Sequence, residues 1–174
     1  MRTQPSTAWR RSAILDGVAA TREYTAIVAG LSRARVFVPV PFDPDQVWGA
    51  KAVHHIAGTV RGMRMRGEIE TVDGDRGFVL GPAWRRDCGL DPGDEVAVVL
   101  EAEGPQRADL APDIVAAFER EPAAGAFFDS LAQFYRNAYL RWIDGTKRRP
   151  ELRESRIAEM VELLKAGHKD RPRP

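Results

Sequence analysis

The side chains best suited to chemistry in this sequence include two neighbouring histidines and a single cysteine. His54 and His55 are adjacent, so in a strand their side chains point to opposite faces and cannot both bind one metal ion. Cys88 precedes a glycine and has no histidine or basic residue at a spacing typical of an activated thiol. The sequence therefore predicts no metal ligands, no cofactor and no catalytic residue, and it favours a protein that is not an enzyme.

Three arginines could bind an anionic group. Arg61, Arg64 and Arg66 surround one predicted hairpin, and strand alternation places Arg64 and Arg66 on the same face. On an outward face they would increase solubility, whereas at the mouth of a β-barrel they would form an anion-binding rim. The outward orientation is favoured because burying an unpaired arginine costs free energy.

An aromatic stripe in the C-terminal part could bind an amphipathic ligand. Tyr135, Tyr139 and Trp142 are three or four residues apart, so they share one face of a helix. Core packing is the usual explanation of such a stripe. The alternative is a ligand cleft, because tyrosine and tryptophan combine an apolar ring with a polar tip.

Short strands must position the N-terminal candidates. Runs of β-branched and aromatic residues begin at Tyr24 and recur up to Leu100, separated by glycine-containing turns, of which Pro92-Gly93 is the clearest. Close spacing of many short strands is typical of a small β-barrel. Asp45 is predicted to cap a single helical turn that holds Trp48 against one end of this barrel.

The apolar spacing becomes helical after the barrel, and one of these helices must position the aromatic stripe. The predicted fold class is α+β, with a small N-terminal β-barrel of short strands followed by a C-terminal helical segment. The predicted divisions are a mobile extension at 1–22, the barrel at 23–102, a linker at 103–111, helices at 112–167 and a disordered basic tail at 168–174.

Composition limits the partners. The chain has 174 residues, 44% of them hydrophobic and 29% charged, which is enough for one sizeable core or two small ones. A net charge of +1 makes nucleic acid an unlikely partner, and no apolar run is long enough to span a membrane. The single cysteine fits a reducing compartment, so we expect a cytoplasmic protein whose oligomeric state is left open.

Two stretches resemble known families. Residues 24–100 resemble the DUF1905 family, most clearly at 55–62 and at 89–96, and the second motif is also similar to the turn of AbrB-type DNA-binding barrels. Residues 125–166 resemble the YdeI/OmpD-associated (bacteriocin-protection) module at 126–131, 139–143, Lys147 and 156–157. This resemblance implies a link to protection against antimicrobial peptides or other toxic compounds.

The expected function is therefore non-enzymatic binding of a small molecule or a peptide, with the ligand between the barrel and the helices. The candidate ligand-binding residues are Trp48, Arg61, Arg64, Tyr139 and Trp142. One alternative is a DNA-binding regulator that uses an AbrB-like barrel. A further alternative is an enzyme whose cleft lies between barrel and helices.

Overall fold

The computed structural model describes residues 20–172, which form a β domain followed by a helical domain. Residues 1–19 of the predicted extension lie outside the described residues. The elements of the β domain are β1 (Arg22–Ile27), β2 (Ala29–Gly30), β3 (Val36–Pro39), α1 (Pro44–Trp48), β4 (His55–Val60), β5 (Met63–Glu68), β6 (Glu70–Val72), β7 (Asp75–Leu80), α2 (Pro82–Cys88) and β8 (Glu95–Ala102). Those of the helical domain are α3 (Pro112–Arg120), α4 (Pro122–Ser130), α5 (Gln133–Asp144) and α6 (Pro150–Lys165).

The strands form two antiparallel sheets. The first has the order β1-β8-β4-β5 and the second the order β2-β3-β7-β6. Single residues link the edge strands of the two sheets, Val28 between β1 and β2 and Ile69 between β5 and β6. The mixed α+β class is confirmed. Since no ladder within residues 20–172 joins the two sheets into one, the predicted closed barrel is not confirmed.

Strand alternation builds the core of the β domain. In β8, Val96, Val98 and Leu100 are buried while the residues between them are more exposed, so one face of the first sheet points inward. Phe78 and Leu80 of β7 meet them from the second sheet. Burying an aliphatic side chain of this size stabilises the fold by about 1.5–3 kcal/mol. The opposite face of the first sheet points away from this core.

The short helix α1 begins differently from the prediction. Its cap is Asp43, whose side chain accepts a hydrogen bond from the backbone N–H of Asp45 at 3.0 Å, so the assignment of Asp45 as the cap was wrong. Pro44 follows the cap, where a missing N–H costs nothing. The carboxylate of Asp45 instead lies 2.6 Å from Nε2 of His54.

The helical domain has a core of its own. Phe118, Phe128, Ile143, Met160 and Leu164 are buried in it, one or more from each helix. This second cluster shares no residue with the core of the β domain. Within residues 20–172, no helix is both long and apolar enough to cross a membrane.

Candidate functional site

An open groove of about 610 Å³ lies on the outer face of the first sheet. Its floor is formed by small residues of the central strand β4, Ala57 and Thr59. Arg64 of β5 is paired with Thr59, and Glu101 of β8 is paired with Ala57 from the other side. The groove is lined by Ala57, Gly58, Thr59, Arg64, Met65, Arg66, Trp84 and Glu101.

Arg64 is an exposed cation of this groove, and Glu101 is an exposed carboxylate on its other side. The side chain of Arg64 is exposed, and among residues 20–172 no hydrogen bond or ion pair engages its guanidinium. Its backbone carbonyl accepts a hydrogen bond from Nε1 of Trp84 at 3.1 Å, which fixes the indole of α2 at the edge of β5. A guanidinium beside an aromatic ring and a small hydroxyl can hold an anionic group on an apolar body.

Arg66, two residues further along the same face, connects the two domains. Its guanidinium pairs with the carboxylate of Glu103 and also donates to Oε1 of Gln133 at 2.8 Å. Glu103 is only 5% exposed, and its other oxygen accepts from the backbone N–H of Gln133 at the start of α5. Since the buried carboxylate is fully partnered, its desolvation is offset. The prediction that Arg64 and Arg66 share an outward face is confirmed.

A buried arginine completes the contact between the domains. Arg136 of α5 is 2% exposed and donates to the backbone carbonyls of Pro105 and Glu103, each at 2.8 Å. Lys51 donates to Oε1 of Gln106 at 2.6 Å. Burial lowers the pKa of the Lys51 ammonium. We call Lys51, Arg66, Glu103, Gln106, Gln133 and Arg136 the junction.

The two histidines point in opposite directions, as strand alternation predicts. Nε2 of His55 lies 3.0 Å from the carbonyl oxygen of Ser130 in the helical domain. His54 is buried and contacts Asp45, and the hydrogen bond with His54 is the main cause that lowers the pKa of the Asp45 carboxyl. Within the described part of the chain, no group of three or more histidine, cysteine and acidic side chains is placed to hold a metal ion.

The polar atoms of Trp48 and Arg61, two of the three predicted ligand-binding residues that are engaged in this way, bind within the β domain. Nε1 of Trp48 donates to the carbonyl of Ala20 at 2.7 Å, and its ring packs edge-on against Phe42. The guanidinium of Arg61 donates to the carbonyl of Gly89 and to Asp94, both at 2.9 Å. Trp48 therefore packs within the β domain, and Arg61 stabilises a turn. Both lie outside the groove that contains Arg64.

Tyr139 and Trp142 lie together on α5. Tyr139 is buried, and burial raises the pKa of its hydroxyl to about 12. Trp142 is half-buried against the helical core. No hydrogen bond or ring contact among residues 20–172 joins this pair to Arg64. The five predicted residues thus lie in separate parts of the structure. The aromatic pair lies beside the last described residues of the chain, 168–172.

Sequence reasoning missed several residues of the groove and the junction. Trp84 lies on α2, which begins at Pro82 and ends at Gly89 in the left-handed conformation, and these two residues are a helix signal that was available in the sequence. Arg136 is followed at helical spacing by the buried Tyr139 and Ile143, so a cation at that position could have indicated a buried contact. Nothing in the local pattern indicates the role of Glu103.

The fold and these contacts define a two-domain α+β protein with a charged junction and an open groove on its sheet. Residues 25–100 match the model of the family described as DUF1905, a domain of unknown function. Residues 107–167 match that of the family described as OmdA: bacteriocin-protection, YdeI or OmpD-associated. The chain therefore contains a DUF1905 match followed by an OmdA match, the arrangement that the resemblance predicted. No curated protein gave a match to the chain.

Proposed function

We propose that this protein sequesters a small molecule or a peptide in the groove at Arg64 and so protects the cell against an antimicrobial compound. The observation that carries the proposal is the exposed guanidinium of Arg64, which no partner within residues 20–172 engages, inside a groove of about 610 Å³. The name of the family matched by residues 107–167 supports a protective role. Sequestration would take place in the cytoplasm, the compartment that the single cysteine favours.

The chemistry of the groove favours a ligand with an anionic group. A guanidinium donates two parallel hydrogen bonds to a carboxylate or a phosphate, and such bonds are stronger than those between neutral groups. Thr59, which is paired with Arg64, adds a hydroxyl to the same end of the groove. Ala57 and the ring of Trp84 provide apolar surface for the remainder of the ligand.

The DNA-binding alternative has less support. A protein that binds duplex DNA needs several cations available to phosphate groups. Arg61 is already held by Asp94, and Arg66 is held by Glu103 in the junction. The net charge of +1 adds no general attraction.

The proposal is tested with a panel of antimicrobial compounds and peptides that carry an anionic group. We expect at least one compound to bind in isothermal titration. Arg64→Ala should raise the Kd of that compound by about tenfold or more, because it removes one charged hydrogen-bonded contact. The matched control is Arg22→Ala, which removes an exposed arginine from β1 at the opposite edge of the same sheet.

Two further measurements separate binding from stability. Arg64→Ala should melt within a few degrees of the unchanged protein, because an exposed side chain contributes little to the core. Expression of the unchanged protein in sensitive cells should raise the inhibitory concentration of the bound compound, and the variant should not. A panel without any binder, or equal binding by the Arg64 variant, would contradict the proposal.

A further inference from the structure

The C-terminal segment, which we define as residues 168–172, folds back onto α5. The chain leaves α6 after Lys165 and turns at Gly167, whose φ of +80° suits glycine. The backbone N–H of His168 donates to the carbonyl of Leu163, and the carbonyl of His168 accepts from the hydroxyl of Tyr139, both at 3.0 Å. The segment is thereby held beside the aromatic pair Tyr139 and Trp142.

Arg171 lies on the ring of Trp142. The central carbon of its guanidinium is 3.8 Å from the ring centroid. Its Nε is buried and has no hydrogen-bond partner, and among residues 20–172 no carboxylate lies within ion-pair distance of its side chain. A second guanidinium, that of Arg156, is 5.1 Å from the same centroid and donates to the backbone carbonyl of Trp142 at 2.6 Å.

The two arginines differ in how they are held. Arg156 belongs to α6 and is fixed by its hydrogen bond to a backbone carbonyl. Arg171 is held at Trp142 by the weak attraction between a cation and an aromatic ring. A contact of this strength exchanges with a competing cation, whereas the helix that carries Arg156 does not need to move.

The charged residues near the ring of Trp142 favour a basic ligand. Burial raises the pKa of the Tyr139 hydroxyl, the negative charges of Asp170 and Glu159 raise it further, and the positive charge of Arg171 lowers it. Neither carboxylate is engaged in an ion pair among the described residues. A peptide that placed an arginine on Trp142 could therefore also place a second cation near an unpaired acid.

We propose that the ring of Trp142, on α5 beside the buried Tyr139, is a binding site for the arginine side chain of a cationic peptide, and that Arg171 occupies it as an internal competitor. The sequence already indicated an aromatic face suited to an amphipathic ligand, and the structure has a side chain of the chain itself on it. The site shares no residue with the groove at Arg64, so the inference does not depend on the proposed function.

The test uses the full chain and N-acetyl-L-argininamide as the probe. The indole N–H signal of Trp142, assigned with Trp142→Phe, is followed by NMR as the probe is added. We expect Arg171→Ala to bind the probe about fivefold or more tightly than the unchanged protein, since removing a competitor held by about 1 kcal/mol opens the ring. Arg171→Gln, which keeps most of the side-chain length, should behave in the same way.

Lys169→Ala is the matched control, because it removes one positive charge from the same exposed segment without touching the ring. N-acetyl-glutaminamide, which is neutral, should leave the Trp142 signal unchanged. Trp142→Phe in the Arg171→Ala background, measured by isothermal titration because it lacks the indole signal, should bind the probe more weakly than Arg171→Ala alone. Equal affinity in the unchanged protein and both Arg171 variants overturns the proposal, and so does an equal gain in Lys169→Ala. Repeating the titration with Arg64→Ala should give the unchanged result, which separates this site from the groove.

Discussion

Arg153 ties three helices together through one side chain. Its guanidinium pairs with Asp113 at 2.5 Å and with Asp144 at 3.2 Å, so α6 is joined to the start of α3 and to the end of α5. The hydrogen bond from Arg153 is the main cause that lowers the pKa of the Asp113 carboxyl. This network makes the stability of the helical domain depend on pH.

The lowered pKa of the Asp113 carboxyl determines the direction in which stability changes with pH. The ionised form of Asp113 is favoured in the folded state, so its contribution is present above the ordinary aspartate pKa of about 4 and is lost as the pH falls through the lowered folded value. Asp113→Asn should therefore unfold at a lower denaturant concentration than the unchanged protein near neutral pH. The difference should shrink in strong acid, where both proteins lack the charge.

Chemical denaturation at a series of pH values, followed by circular dichroism, measures this dependence. Asp75→Asn is the control, because Asp75 is exposed on β7 and forms no ion pair among the described residues. A difference between Asp113→Asn and the unchanged protein that stays constant down to strong acid would show that the ion pair is not its source.

Some residue-scale features could be predicted and others could not. The opposite directions of His54 and His55, and the common face of Arg64 and Arg66, depend only on strand alternation, so the sequence was sufficient for them. The engagement of Arg61 with Asp94 depends on a partner 33 residues away, which no local pattern indicates.

At the scale of elements, the floor of the groove depends on how closely β4 approaches β8. Gly58 has no side chain, and a Cβ atom at this position would collide with the backbone carbonyl of Val99. The neighbouring strand must then move away, because backbone atoms cannot shift as a flexible side chain can. Glycine is thus required in the middle of the first sheet.

Gly58→Ala should lower the free energy of unfolding by about 2 kcal/mol or more, as overpacking in a core does. Gly67→Ala on β5 is the matched control, since a Cβ there would meet only the end of the Met65 side chain at 3.7 Å, an ordinary contact. Thermal and urea unfolding of the two variants would compare them. Similar stability of both variants would mean that β4 and β8 separate at little cost.

The positions of the strands along the sequence were easier to predict than the order in which the strands pair in each sheet. Period-two spacing marked most strands, and α3, α5 and α6 followed from helical spacing and from Pro112 and Pro150, whereas α4 was not predicted. The groove exists because β4 lies between β5 and β8, and β8 is some 35 residues further along the chain. Such long-range pairing is decided by the whole core, which local patterns do not contain.

At the scale of the whole molecule, two separate cores are joined at the junction. We predict that residues 20–104 fold alone, because the core of the β domain uses no side chain from the helices. The fragment should melt cooperatively but at a lower temperature than the whole chain, since it lacks the partners that Gln133 and Arg136 supply.

Circular dichroism of the purified fragment during heating tests this prediction, with the whole chain measured in parallel. A melting curve without a cooperative transition would show that the helices are needed to complete the β domain. The order of the two domains was predictable from the family-like motifs, whereas the contacts between them were not, because most of them involve the segment expected to be a solvated linker.

The first part of that predicted linker, residues 103–106, has a consequence for how the two domains could be recombined during evolution. Glu103, Pro105 and Gln106 all take part in hydrogen bonds at the junction, so the connection is itself an interface. If recombination attached this β domain to an unrelated helical module, the carboxylate of Glu103 would lose the backbone N–H that donates a hydrogen bond to it. The boundary between the two families is thus a poor place for exchange, and we expect the pair to be inherited as one unit.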